Sequence, residues 1–380
     1  MPSEFVVDAG DGNTPTHHAL EIYRDSLKIT MFAKMGLMGR RGSGKVITVD
    51  TRLQQQPGET VNVHFVPFEN IPPILGQDAS VQGNESKFNE FTTSVTVDEV
   101  NFPFLSRGRM TAQRTILDVR KEMRMQIANH FAQYNETEMF KRLSGVAQTE
   151  VRATWESSTN STNRVNAGPT TGTGRALRAS GSNSTATVTE EQSDNDQLAG
   201  DITSADKISP NAIMKASVTA RRSASGTNAT YKMQPIRVSN GKEMFLCFLS
   251  PNAVFDLMTH PEWITRAIAV GETGLDKDPI AMSALGTIKN VIVHESEHVI
   301  EFDTDASGRA ARNLLVGQDA GFMAWSQTLE YVEQFQDYKR KLGVNGSEIR
   351  GEIKVAFEDK DNAGVDVDYG VFQIVTASDD

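Results

Sequence analysis

A long amphipathic run between Thr111 and Leu143 constrains the fold of this chain more than any other segment. Apolar side chains recur there at a spacing of three or four residues, at Ile116, Val119, Met123, Ile127, Phe131, Tyr134 and Phe140 or Leu143. This spacing predicts a helix with one buried face, N-capped by Thr111 and ended by Gly145. At a rise of about 1.5 Å per residue the helix is roughly 48 Å long, so it needs a long partner surface.

The residues before this helix predict an extended hairpin. Within residues 59–104, the segments VNVHFVPF and TTSVTVDEVNF alternate apolar and polar side chains, and the polar segment Gly76 to Ser86 separates them. Two strands with little core of their own are marginally stable, so a partner surface has to stabilise them. An extended hairpin beside a long rigid helix favours a shell-building subunit over an enzyme with a catalytic cleft.

The regions on either side of this pair differ in composition. Residues 1–58 predict an arm, with a short helix around Leu20 to Phe32 and the strand VITVDTRL. Residues 105–147 hold the long helix. Residues 148–203 are dominated by Ser, Thr, Asn, Gly and Ala, and can bury little. We therefore expect a polar surface insertion there.

The last two regions carry clearer secondary-structure signals. Residues 204–335 predict an α/β subdomain, in which Ser209-Pro210 and Ser250-Pro251 each begin a helix. Its predicted strands are EMFLCFL, NVIVHE, NLLVG and TLEYVEQ. Residues 336–380 predict two strands that return to pack beside the long helix.

Composition excludes several classes of protein. A chain of 380 residues with 38% hydrophobic residues can bury a sizeable core. Its one cysteine, Cys247, rules out an intramolecular disulfide and fits a reducing cytoplasm. The segment MPSEFVVDAGDG lacks a basic region followed by an apolar core, and the sequence has no apolar run of about 18 residues, so we expect neither secretion nor membrane association. A net charge of -11 argues against tight binding of nucleic acid.

Several sequence blocks occur in an order that resembles one family. They are VQGNES, GRMTAQRTILDVRKEM, FKRLSG, MQPIRVSNGKEMFLCFLSPNAVFDLMTHPEW, ALGTIKNVIVHESEHV and NLLVGQDAGFMAW. Together they cover most of residues 20–345, with no match between Gln148 and Ile202. The chain thereby resembles the major capsid proteins of tailed bacteriophages of the N-four-like podovirus group, which have the Hong Kong 97 type of fold.

The resemblance implies an α+β fold with an N-terminal arm, an extended hairpin loop, a spine helix in a P domain, and a central α/β A domain. It implies self-assembly into the pentamers and hexamers of an icosahedral shell, in the host bacterial cytoplasm. The expected partners are a portal protein, scaffolding and decoration proteins, and packaged double-stranded DNA. An acidic wall would contact that DNA weakly and without sequence specificity. A cellular nanocompartment shell of the same fold is the alternative assembly.

The segment HESEH, from His294 to His298, satisfies the H-E-x-x-H pattern of zinc hydrolases. That pattern requires a helix, on which His294 and His298 share a face and Glu295 serves as the base. The β-branched residues on both sides instead predict a strand, which would separate the two histidines by about 13 Å. A zinc-dependent hydrolase is therefore the minor alternative.

The segment GRRGSGK, from Gly39 to Lys45, has the spacing of a phosphate-binding loop. Val46 follows it in place of the Ser or Thr that holds magnesium, and a strand follows in place of a helix. A solvated basic turn is expected, although Arg40, Arg41 and Lys45 could contact DNA or an acidic neighbour. We assign no catalytic, cofactor-binding or metal-binding residue and predict that the chain is not an enzyme.

Overall fold

The structure is a computed structural model of the whole chain. It describes residues 30–54, 58–66, 74–75, 82, 90–114, 118–145, 176–178, 204, 206–221, 232–237, 241–263, 284–303, 309–358 and 366–378. Most of the predicted helix around Leu20 to Phe32 lies outside these residues. So do most of the polar segment Gly76 to Ser86 and all of the insertion except residues 176–178.

Five helices occur in the described residues. They are α1 (Met31–Lys34), α2 (Arg109–Arg114), α3 (Val119–Leu143), α4 (Pro210–Arg221) and α5 (Pro251–Thr259), with a short 3-10 turn at Arg52–Gln54.

The strands come mostly from the second half of the chain. They are β1 (Met38–Gly39), β2 (Ile47–Asp50), β3 (Thr60–Phe65), β4 (Phe91–Thr96), β5 (Asp98–Leu105), β6 (Ala176–Arg178), β7 (Ile236–Arg237), β8 (Glu243–Leu249), β9 (Gly286–Ile288), β10 (Val291–Glu295), β11 (Glu301–Asp303), β12 (Arg309–Val316), β13 (Gly321–Gln336), β14 (Lys341–Lys354), β15 (Ala356–Glu358), β16 (Asp366–Asp368) and β17 (Val371–Ala377).

The long helix begins later than predicted. Its N-cap is Asp118, not Thr111, and the Asp118 carboxylate accepts from the backbone N–H groups of Arg120 at 3.1 Å and Lys121 at 3.4 Å. Asp118 itself has an extended backbone, with φ -75° and ψ 99°, so a continuous helix cannot pass through it. Thr111 lies in the separate helix α2. The 25 residues of α3 span about 37 Å, and Gly145 follows its end as predicted.

Helix α3 packs along a five-stranded sheet, which we call the spine sheet. Its strand order is β1-β2-β13-β14-β5. Ile127 and Phe131 are buried against Leu329, Tyr331 and Val344 of the sheet. The predicted apolar stripe is thus the face that meets the sheet.

A second sheet, the central sheet, has the order β6-β17-β12-β8-β10-β9, with β7 and β11 at its side. Strand β8 is the predicted EMFLCFL, and its side chains are buried on both faces. Phe245 and Cys247 face helices α4 and α5, while Leu246 and Phe248 face the end of α3. Phe248 contacts Phe140 of α3 edge-on, with ring centroids 5.4 Å apart. Burial raises the pKa of the Cys247 thiol to about 12.

The two predicted Ser-Pro helices form as expected. The Ser209 hydroxyl accepts from the backbone N–H of Ala212 at 3.2 Å, and the Ser250 hydroxyl accepts from Ala253 at 3.3 Å. These caps satisfy backbone donors that the first helical turn leaves without partners.

Strand pairing crosses the predicted domain boundaries at two places. Strand β13, which contains the predicted TLEYVEQ, belongs to the spine sheet rather than to the central sheet. The predicted tail divides: β14 packs along the long helix, while β17 lies between β12 and β6 in the central sheet and meets only the end of that helix. All seven residues of β17 are buried, which only a central position satisfies.

The residues of the predicted hairpin are divided between a two-stranded sheet and the spine sheet. Strands β3 and β4 pair antiparallel from Thr60–Thr96 to Phe65–Phe91, which confirms the root of the hairpin. The continuation VDEVNF instead forms β5, which pairs with β14 in the spine sheet. Val61, Val63 and Val95 of the hairpin root pack on the sheet, and this contact supplies the partner surface that two strands require.

Candidate assembly interface

A buried charge network joins α3 to the spine sheet. Arg350 of β14 lies with its Nε 3.0 Å from carboxylate oxygens of both Glu348 and Glu352, and its guanidinium lies over the Tyr134 ring, 5.0 Å from the centroid. The short distances from the Arg350 Nε to the two carboxylates are typical of ion pairs. The N–H group does not point at either oxygen well enough to form a hydrogen bond. Burial raises the pKa of Glu348, and the charge of Arg350 opposes that rise.

A second buried pair lies near the end of α3. The Arg142 guanidinium donates to Glu138 at 2.7 Å, and the two side chains are only 6% and 3% exposed. The two residues are four apart in the sequence, which places them on the same face of the helix. The pair is buried because the central sheet covers this end of the helix: the Ser144 carbonyl accepts from Gln373 of β17 at 3.2 Å.

Strands β13 and β14 form a long hairpin whose turn lies at one end of the spine sheet. We call residues 337–341 and Arg107 the hairpin tip. Asp337, Tyr338 and Lys339 all have left-handed backbones, with φ of 53°, 52° and 63°. Tyr338 is 99% exposed. Consecutive left-handed residues other than glycine are unfavourable, so the turn presents Tyr338 to solvent at a conformational cost.

Beyond the part covered by the hairpin root, one face of the spine sheet is uncovered by any of the described residues. Helix α3 covers the face that carries Phe102, Tyr331 and Val344. On the opposite side, the outward-facing residues of β5, β13 and β14 alternate with the buried ones, and we call this the outer face. It carries Glu99, Asn101, Pro103, Leu105, Thr328, Glu330, Val332, Gln334, Gly343, Asn345, Ser347 and Ile349.

The HESEH residues do not form a metal site. His294 and Glu295 end strand β10, and His298 follows in a turn, so the strand prediction is confirmed for the first part of the motif. His294 is buried and contacts Phe248, with ring centroids 5.8 Å apart. His298 contacts Glu136 of α3 instead, with Nε2 and Oε2 2.9 Å apart. Among the described residues, no group of three His, Cys, Asp or Glu side chains could hold a metal ion.

The GRRGSGK segment is a turn between two strands. Gly39 ends β1, Gly42 and Gly44 have φ of +78° and +68°, and Ile47 begins β2. No helix follows to bind a phosphate, as predicted. The Lys45 carbonyl accepts from the backbone of Asp319 at 2.9 Å, which ties the turn to the loop before β13.

Comparison with known proteins gives the family. A family model described as phage capsid protein matches residues 8–379. The chain belongs to the phage capsid protein family. Its function is to form the capsid shell.

The capsid chain is similar to the major capsid protein of Pseudomonas phage KPP25, with 26% identity over 313 residues that cover 79% of each chain. Its fold is similar to that of the capsid of Ralstonia phage GP4, with a TM-score of 0.69, 23% identity and 92% of both chains covered. The Cyanophage Pam1 capsid gives a TM-score of 0.67 at 18% identity, over 93% of both chains. These likenesses confirm the predicted α+β fold of the Hong Kong 97 type.

Sequence reasoning on this capsid chain missed the hairpin tip and the charge network. Strand β14 contains Gly343, Gly346 and Gly351, which weaken a strand signal. The glycines themselves were the available signal, because each lies where another group approaches the strand closely.

Within the described ranges, no helix is long and apolar enough to cross a bilayer.

Proposed function

We propose that this capsid chain assembles into the closed icosahedral head of a tailed phage of the N-four-like podovirus group and encloses double-stranded DNA. The observation that carries the proposal is the family match, because it extends over residues 8–379 and so includes both sheets and the long helix. The role is structural rather than enzymatic, and we assign no catalytic residue.

The geometry suits a subunit with several different neighbours. Such a subunit needs non-identical patches, because head-to-tail contacts close into rings of five and six only when different surfaces meet. The hairpin tip and the outer face are two such patches, and the hairpin that begins at β3 and β4 is a third. Individually weak contacts then act together in a closed shell.

The interior of the shell is proposed to contact DNA weakly. The chain carries a net charge of -11, and binding without sequence preference depends on clustered cations. A weakly repulsive wall lets incoming DNA slide. A portal protein, and scaffolding or decoration proteins, complete the proposed set of partners, with assembly in the host bacterial cytoplasm.

The predicted division of the chain is retained with the corrections above. The arm, the hairpin, the spine helix, the insertion and the A domain are proposed as separate functional segments. Strands β13 and β14 join the spine helix in one body, and β17 joins the A domain.

Electron microscopy of the expressed chain tests this function. The chain is produced alone and together with the genes that flank it, and the products are separated by sedimentation. Closed shells of uniform diameter are expected in at least one of these preparations. A Phe131→Asp variant, which places a charge against the spine sheet, serves as the control that must not form shells. A wild-type chain that stays monomeric in every combination would overturn the proposal.

A further inference from the structure

The hairpin tip is a basic projection on an acidic protein. It contains Arg107, Lys339, Arg340 and Lys341, with Asp337 as its one acidic residue. These residues contribute +3 to a net charge of -11, so the remainder of the chain carries -14. Among the described residues, Arg340 pairs with Asp337 at 3.7 Å, and no ion pair involves the other three cations.

Like charge disfavours contact between the tips of two copies. Around any symmetry axis, tips that converged would bring several lysine and arginine side chains together around the exposed Tyr338. Exposed like charges at close range repel, and the repulsion is strongest at low salt. The tip therefore fits an acidic surface that lies elsewhere on the neighbouring copy.

The outer face has the matching chemistry. Its charged side chains within the described strands are the carboxylates of Glu99 and Glu330, with no lysine or arginine between them. Asn345 donates to Asn101 at 2.9 Å across the middle of this face. Leu105 and Val332 are 55% and 45% exposed and supply apolar area for an aromatic ring. A flat surface of amides, carboxylates and apolar groups is suited to a tyrosine flanked by cations.

We propose that the hairpin tip of one copy docks on the outer face of the spine sheet of a second copy, with Tyr338 on the strands and the lysines beside Glu99 and Glu330. The contact is head-to-tail, because the two surfaces differ, and it can therefore be repeated around a ring. This inference rests on the proposed function, since it names the partner of an assembly surface.

Site-directed cross-linking tests the geometry in assembled shells. Tyr338→Cys and Ser347→Cys are combined in one chain and treated with a short bis-maleimide. The native thiol stays unreactive, because Cys247 is fully buried. The double variant should give a ladder of covalent oligomers on a denaturing gel, and each single variant should give none. Dimers from Tyr338→Cys alone, or no ladder from shells of the double variant, would overturn the proposal.

Charge reversal tests the energetics. Lys339→Glu with Lys341→Glu should reduce the yield of shells at least tenfold, and adding Glu99→Lys with Glu330→Lys should restore it. Lys232→Glu with Lys242→Glu changes the same amount of charge at two exposed lysines beside the central sheet, outside both surfaces, and should leave the yield unchanged. Equal loss in both pairs, or no rescue, would count against the docking. Wild-type chain that forms no shells would instead refute the proposed function.

Discussion

Gly351 lies where β14 passes closest to the root of the hairpin. A Cβ atom at this position would overlap the Thr96 carbonyl oxygen and lie 2.9 Å from the Val95 side chain. The absence of a side chain at Gly351 thus lets the hairpin root pack on the spine sheet. The requirement is steric, because Gly351 is not among the residues with a left-handed backbone.

Gly351→Ala should therefore lower the free energy of unfolding by about 3 kcal/mol, the upper part of the usual range for overpacking. Denaturant titration of the isolated chain measures the change. Gly42→Ala is the matched control: it has open space but a φ of +78°, so only a backbone cost of about 1 kcal/mol is expected. Equal effects at the two positions would contradict the steric account.

The buried carboxyl of Glu348 makes the free energy of unfolding depend on pH. Burial raises its pKa above the ordinary value of 4.5. Because the folded-state pKa is the higher one, the fold favours the protonated form: its contribution to stability is fully present below pH 4.5 and is lost as pH rises through the folded-state pKa. Glu348→Gln has no such titration.

We therefore expect the stability of the wild type, relative to Glu348→Gln, to fall as pH is raised from 4.5. Unfolding curves at several pH values measure the difference. Ser347→Ala, which removes no titratable group and lies beside Glu348 on the same strand, is the control, and its difference from the wild type should be independent of pH. If the stability difference between the wild type and Glu348→Gln does not change with pH, Arg350 offsets the cost of burying the carboxylate completely.

At the scale of elements, the start of α3 depends on one side chain. Asp118 satisfies two backbone donors of the first turn, so Asp118→Ala should destabilise the chain by about 1 kcal/mol. Asp118→Asn keeps an accepting oxygen and should lose only a small part of that stability. Calorimetric unfolding of both variants measures the difference, and equal losses would mean that the carboxylate charge matters more than the cap.

At the β13–β14 turn, Tyr338 lowers the stability of the folded chain but is expected to favour assembly. Tyr338 has a φ of 52°, which glycine adopts without strain, so Tyr338→Gly should raise the free energy of unfolding by about 1 kcal/mol. The same change should lower the yield of shells, because it removes the exposed ring. Unfolding and sedimentation of the same preparation measure both effects. A variant that gained stability and kept its shell yield would show that Tyr338 has no role in assembly.

The elements that the sequence predicted well carry their signals locally. The helix at Pro210–Arg221 has its Ser209 cap and its proline within a few residues, and β8 is an unbroken apolar run. The start of α3 was misplaced because an apolar spacing continues through Asp118, while the cap depends on one side chain. The first part of β14, residues 341–350, was missed because its glycines are explained only by groups from distant parts of the chain.

At the scale of the whole molecule, the exchange of strands between regions could not be predicted. Which sheet β13 and β17 join depends on pairing with strands far away in sequence, and the apolar pattern of either strand would suit both sheets. The candidate assembly surfaces follow from that pairing. The outer face forms only when β5, β14 and β13 lie side by side. It therefore cannot be predicted from any single segment of the sequence.

The position of β17 makes the fold depend on its last strand. Phe372 and Ile374 are fully buried, and the strand pairs with β12 along seven residues. Removal of residues 371–380 should therefore prevent cooperative folding, which circular dichroism and solubility measure. A chain that stops after Ser378 keeps every described strand and should fold. Cooperative folding of the shorter chain would show that the central sheet is complete without β17.

The buried position of Cys247 determines how this thiol responds to oxidants. A thiol reacts with oxidants mainly as the thiolate, and a pKa of about 12 leaves almost none of that form at neutral pH. The side chain also has no exposed surface for a reagent to reach. The one thiol of this subunit therefore stays unmodified when a particle built from it is exposed to aerated water.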